Sequence, residues 1–214
     1  MEEAITAGIG VNVTLLFSDS HYLRTADAYM RALERRHAAG LDLAVPSVAS
    51  VFISRWDSAA DPLLPPELHG GLGLAMAQKT YSSHLQLLSD KRWQALAEAG
   101  ARPQRVLWAS TSTKDPDLPD TYYLGRLAAP DTIDTVPEKT LLAFADHGDP
   151  DQRLAPDYAA AEWTIAAIAG AGVDVDILAE RLQRQGAGAF GADWAALLDA
   201  IREKAGKPET SSNS

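Results

Sequence analysis

Short apolar runs alternate along the chain with longer stretches in which apolar residues recur every three or four positions. The first run, "VNVTLLFS" (11–18), is bounded by Gly10 and by Ser18, Asp19 and Ser20, and it reads as a buried strand feeding a helix. Tyr22, Leu23, Ala26, Met30 and Leu33 then keep helical spacing, with Asp19 or Ser20 as the expected N-cap. A second strand, "SVASVFIS" (47–54), is ended by Arg55, Trp56 and Asp57. The Pro-rich "DPLLPPELHGG" breaks the chain, and 72–99 reads as helix in two pieces split near Ser89 and Asp90. "QRVLWAS" (104–110) is a third strand, and "STKDPDLPDTYY" a loop held by two prolines. "DTIDTVP" (131–137) is a fourth strand, ending at Pro137 before a capped helix from Glu138 to about Asp146. From about 156 the pattern is helical, with breaks expected at "GAGVD" and "QGAGAF".

Strands alternating with helices argue an α/β fold with parallel strands, covered by right-handed crossovers. Residues 1–150 carry the strands, 151–206 form a helical segment, and the polar 207–214 is a tail expected to fray. With 214 residues, 46% of them hydrophobic, the chain can bury one sizeable core. No cysteine occurs, which excludes disulfides and thiolate metal sites and fits a reducing compartment. Lys and Arg are outnumbered 19 to 29 by Asp and Glu, for a net charge of -10, which argues against general affinity for nucleic acid. An anionic substrate then needs a local cationic pocket. No eighteen apolar residues run together, and "MEEAITAGIG" has neither the basic nor the apolar part of a leader, so the expectation is a soluble cytoplasmic protein.

In parallel α/β folds chemistry gathers at the C-terminal ends of strands. Asn12, Ser50, Arg55, Ser110 and Lys114 lie on or just after three of the four runs. Asn12 either bonds a neighbouring strand or, as a buried amide in an apolar run, orients a substrate hydroxyl. Arg55 is either a surface charge paired with Asp57 or a bidentate clamp on a phosphate. Ser50 and Ser110 are satisfied strand hydroxyls or ligands; Lys114, in its loop, is solvated by default. His21, His37, His69, His84 and His147 show no metal-ligand spacing, so no metal is expected. "GGLGLAMAQ" follows a Pro-rich loop and reads as a helix entry, not a phosphate cradle. "RALERR" is a solvated helix face, and Trp163 and Trp194 are expected in the core.

"GVNVTLLFS", "VASVFISRWD", "RVLWASTSTKDP", "DTYYLGRLAAPDTIDTVPEKTL" and "AFADHGD", in this order across 8–148, resemble successive motifs of transaldolase in its actinobacterial and plant form. "FGADWAALLDAI" resembles the helical C-terminus of that family. The resemblance implies a (β/α)8 TIM barrel that moves a dihydroxyacetone unit from a ketose phosphate to an aldose phosphate through a Lys Schiff base, without a cofactor. A cationic imine drains electrons from the bond being cleaved, which requires a lysine of lowered proton affinity. In the family that lysine lies on the fourth strand, in a motif like "KIPAT", and acid/base carboxylates come from the first and third.

By this resemblance the chain begins at the fifth strand, and the expected fold is a partial TIM barrel, strands five to eight, with C-terminal helices. None of the three catalytic groups has a counterpart here. The substrate-holding residues do: Asn12 beside the Schiff base, Ser50 and Arg55 at the substrate and phosphate, Phe52 as a pocket aromatic, and Ser110 near the phosphate. Lys114 falls in the same loop and is the sole in-chain substitute for the Schiff-base lysine; the family's Gly-Lys pair before the helix is "GGLG" here. Four strands cut from a barrel leave open edges and a wet apolar layer. The expected remedies are a homodimer, a complementing chain carrying the first four strands, or C-terminal helices folded over the gap; a degenerate remnant is the further reading. The functional expectation is transaldolase-type carbon transfer completed by a second copy or chain, set against a catalytically inactive sugar-phosphate-binding protein.

Overall fold

The computed structural model describes residues 1–205. The tail expected at 207–214 lies outside the described residues. Helix α1 (Glu2–Thr6) leads into β1 (Val11–Leu16) and α2 (Asp19–Ala38), followed by β2 (Ser47–Phe52) and α3 (Ser54–Ala60). Two 3-10 turns, Asp61–Leu63 and Pro66–Leu68, precede α4 (Leu72–Ser89) and α5 (Lys91–Glu98). Next come β3 (Arg105–Ala109), α6 (Tyr122–Arg126), β4 (Ile133–Asp134), α7 (Glu138–His147), α8 (Tyr158–Gly170) and α9 (Val175–Ala205). The strands form one parallel sheet in the order β1-β2-β3-β4, as the alternating pattern implies.

Several local readings change. Ser18, rather than Asp19 or Ser20, caps α2: its hydroxyl accepts the His21 N–H at 3.2 Å. The expected split between α4 and α5 is there, with the Asp90 carboxylate accepting from Arg92 N at 2.8 Å. Arg55, Trp56 and Asp57 belong to α3, a helix that starts without a side-chain cap and so left no mark in the sequence. α7, expected to be capped, likewise has no side-chain cap, with Pro137 at the N-cap position. α9 runs through "QGAGAF" unbroken; its glycines cost about 1 kcal/mol each against alanine, too little to end a helix of 31 residues rich in Ala, Leu, Gln and Arg. In "RALERR" two of the three arginines are solvated, Arg31 and Arg35 reaching Glu2 and Glu3 of α1. Arg36 is buried instead, donating to the Asp42 and Thr6 carbonyls at 2.7 and 2.8 Å.

Register assigns the two faces of the sheet. Ala49 pairs with Val106 and Val51 with Trp108, and all four are fully buried against Tyr22 and Ala26 of α2, Ala77 and Tyr81 of α4 and Tyr123 of α6. The opposite face carries Asn12, Val48, Ser50, Phe52, Arg105, Leu107, Ala109 and Ile133. There Asn12, Thr14 and Arg105 are exposed, and Val48, Leu107 and Ile133 are half-buried. Parallel sheets are normally covered on both faces. Among the described residues the second face is roofed only at the strands' C-terminal end, where Leu15, Phe17, Phe52 and Ala109 pack under Ile168, Val173, Leu178, Ala179 and Leu182 of the α8–α9 region.

Trp163 and Trp194 are not core residues: they are 72% and 61% exposed. Helical spacing showed that each shares a stripe with Ala and Leu, but not which stripe faces inward. α8 buries Ala161 and Ile168, which turns Trp163 outward. Leu23 is exposed for the same reason beside buried Tyr22. No described helix is long and apolar enough to cross a membrane.

Candidate functional site

The uncovered face and its roofed end bring five of the six sequence-marked residues together. Ser50, almost fully buried on β2, donates its hydroxyl to Asn12 Oδ1 on β1 at 2.7 Å. Asn12 is exposed rather than buried in an apolar strand, and its amide nitrogen has no acceptor among the described residues. Two positions further along the same face, Phe52 packs 5.5 Å from the Phe17 ring and supports Arg55, whose guanidinium carbon lies 5.0 Å from the Phe52 centroid. Cation–π contact of this kind orients a guanidinium without neutralising it. Among the described residues no carboxylate pairs with Arg55, so its charge is available for an incoming anion.

Ser110, just after β3, lies in the left-handed region, φ 58°, with its Oγ 2.9 Å from Ser54 Oγ. The strand ladder continues past the strand ends, Ile53 N–H to the Ala109 carbonyl and Ser54 N–H to the Ser110 carbonyl, both at 2.9 Å. Those bonds fix the β2 and β3 ends in register, so Arg55 and the two serines follow one another on a rigid edge. Lys114 lies apart. It is exposed, donates to Ser112 Oγ at 2.8 Å, and lines a separate cavity of about 290 Å³ with Asp57, Asp61, Asp115 and Tyr123.

Asp57, read from sequence as a partner for Arg55, is instead buried and holds α3 in place. Its carboxylate accepts the Gly73 N–H at the start of α4 at 2.9 Å and the Tyr123 hydroxyl at 2.6 Å. Burial pushes this carboxyl up to about 6, opposed by those two hydrogen bonds and a third from Leu72. α9 supplies two further supports. Gln183 donates to the Leu15 carbonyl at 2.9 Å, where β1 bulges and Leu15 takes φ 60°. Gly186 lets α9 approach closely: a Cβ there would lie 2.6 Å from Leu15 Cδ2 and 3.4 Å from Arg55 Nη1. Nothing in the sequence sets Gly186 apart from Gly188 and Gly191 of the same helix, which have nothing within 4 Å. Gln183 carries no mark either.

Two other places gather polar groups. A cavity of about 590 Å³ between α2, α4 and α8 is lined by Asp19, Glu162, Asp174 and Asp176, with Lys79 already paired to Glu162. Its acidic walls repel phosphate. Asp61, His69 and Asp115 place three ligand atoms within 4.8 Å of one another, but both Asp61 oxygens lie 3.1–3.2 Å from the Gly70 N–H, and His69 Nε2 bonds the Leu64 carbonyl.

The parallel α/β unit thus carries an arginine without a carboxylate partner and two serine hydroxyls just past its strands' C-terminal ends, the side on which such folds gather their binding groups. Residues 1–201 match the family model for Transaldolase/Fructose-6-phosphate aldolase, and the chain belongs to this family. It is 44% identical over 217 residues to a transaldolase of Frankia alni, covering 97% of this chain and 58% of that protein. It is 46% identical to a transaldolase of a Parafrankia species (95% and 58% covered) and 42% identical to that of Thermobifida fusca (94% and 57%). The chain thus spans less than six tenths of the length of these relatives.

Proposed function

We propose that this chain is the substrate-holding part of a transaldolase-type enzyme, and that carbon transfer requires further polypeptide to supply the Schiff-base lysine and close a barrel of which β1–β4 are the fifth to eighth strands. Arg55 clamps the phosphate of a ketose or aldose phosphate, with Ser110 beside it. Asn12, oriented by Ser50, uses its amide to hold a sugar hydroxyl, and Phe52 walls the pocket while steadying Arg55. Membership of the family supports the substrate class. The observation that carries the reading is the half-covered sheet, whose open face bears Asn12 and Ser50 and whose roofed end holds an Arg55 free of carboxylates. Exposed Lys114, bonded to Ser112, favours binding without chemistry by the chain alone.

Borohydride reduction in the presence of fructose 6-phosphate, read by intact mass, tests this. A Schiff base forms when a lysine amine adds to the ketose carbonyl and water leaves, and reduction makes the bond permanent. The chain alone is expected to bind the sugar phosphate yet give no adduct. An adduct on the chain alone overturns the need for further polypeptide.

A further inference from the structure

Helix α9 changes character at Gly186. Before it, Leu178, Ala179 and Leu182 are buried over the strand ends, and Gln183 ties the helix to β1 through the Leu15 carbonyl. After it, from 187 to 205, no residue is buried, although the helix continues for about 28 Å. Phe190, Trp194, Leu197 and Ile201 are 45%, 61%, 50% and 54% exposed. Their spacing of four, three and four positions, at about 100° per residue, confines them to one narrow stripe. Scattered apolar residues need no explanation, but a continuous stripe of a Phe, a Trp, a Leu and an Ile marks a contact surface.

The anchoring point locates that surface. α9 is fastened to β1, and β1 is an edge strand, paired only with β2 among the described residues. Whatever pairs with the free edge of β1 therefore arrives beside the helix. A second copy is a poor candidate: the other sheet edge, which a twofold along the strands would bring to β1, is β4, with two residues against six in β1. The Frankia alni relative extends beyond the matched part by about 155 residues, the scale on which this chain builds its four βα units over 11–147. Parallel closure of the sheet needs such a unit.

We infer that the Phe190–Trp194–Leu197–Ile201 stripe is a clasp that docks on a (β/α)4 polypeptide pairing with the free edge of β1. The inference rests on the reading that further polypeptide completes the sheet, and adds the surface that holds it. Its occupant is an apolar helical face of that unit, and the second copy is the competing occupant.

The test co-expresses this chain, tagged, with the part of the Frankia alni transaldolase that lies outside the matched residues, and measures the complex by native mass spectrometry. The native chain is expected to give a 1:1 complex, reduced at least tenfold by Phe190→Ser with Trp194→Ser, while the melting temperature of the chain alone stays unchanged because both residues are exposed there. A full yield of complex with the double variant overturns the clasp and leaves the completion reading standing. A homodimer of the native chain that the double variant abolishes overturns the proposed occupant. No complex with the native chain overturns both.

Discussion

On one face of the sheet Ala49, Val51, Val106 and Trp108 are sealed beneath α2, α4 and α6, while on the other Val48, Leu107 and Ile133 remain half-buried beside exposed Asn12, Thr14 and Arg105. The same strands supply both, residue by alternate residue. The covered face holds the chain together, as its fully buried aromatic and β-branched side chains show. The open face contributes little cohesion and carries the polar groups, and only where α9 roofs it do Phe52 and Arg55 become fixed. Stability and ligand binding are thus divided between two sides of one sheet, and substitutions on the two sides should separate them.

The largest contrast is between neighbours in β3. Trp108→Ala on the covered face is expected to cost about 3–5 kcal/mol by urea unfolding, from lost burial and the cavity left behind, whereas Leu107→Ala on the open face costs below about 1.5 kcal/mol. Equal losses would mean that the open face is covered in solution. Next is Arg55→Ala, which removes the unpaired charge: affinity for inorganic phosphate or a sugar phosphate should fall 10- to 100-fold, about 1.5–3 kcal/mol, with little change in the melt. Arg55→Lys should restore only part of it, since a point charge lacks the planar fork.

The covered face has a polar fault at its β4 margin. Both carboxylate oxygens of Asp134 and the indole nitrogen of Trp108, at paired positions, are buried with no hydrogen-bond partner among the described residues. The Thr111 hydroxyl, close by, donates to the Thr135 carbonyl instead. Burial pushes Asp134 up to about 6. A carboxyl raised on folding favours the folded state fully below its unfolded value near 4, and that contribution is lost as pH rises through 6. Asp134→Asn should therefore remove a decline of up to about 3 kcal/mol between pH 4 and 7, seen as a flatter curve of unfolding free energy against pH. An unchanged slope would show that Asp134 is solvated. The smallest effects come from α9, at two glycines of opposite surroundings. Gly186→Ala should destabilise by about 1–2 kcal/mol and loosen phosphate binding, because its Cβ meets Leu15 and Arg55. Gly188→Ala, with nothing within 4 Å, should stabilise by up to about 1 kcal/mol, and a like sign at both would deny the close approach of α9.

Apolar period and turn chemistry were enough to read the four strands, their parallel arrangement and the α4–α5 break at Asp90, because these are local signals. α3 and α6 were not legible: both are short, start without side-chain caps, and are held by tertiary contacts such as Asp57 with Tyr123 and Gly73. At the site, position on or just after the strands singled out Asn12, Ser50, Arg55, Ser110 and Lys114, of which Lys114 lies apart in its loop, and Phe52 came from family resemblance. The exposure of Asn12 depends on what covers the sheet, and the roles of Gln183 and Gly186 on an approach across more than 160 positions of sequence, so neither could be read locally. Trp163 and Trp194 failed for a related reason, since Ala-rich helices have no single apolar side that sequence alone can turn inward.

Calorimetric titration of fructose 6-phosphate into this chain and its Arg55→Ala variant addresses the division most directly. The account predicts binding by the native chain, weakened at least tenfold in the variant while both unfold alike. Equal affinities, or no binding by a folded native chain, would contradict it.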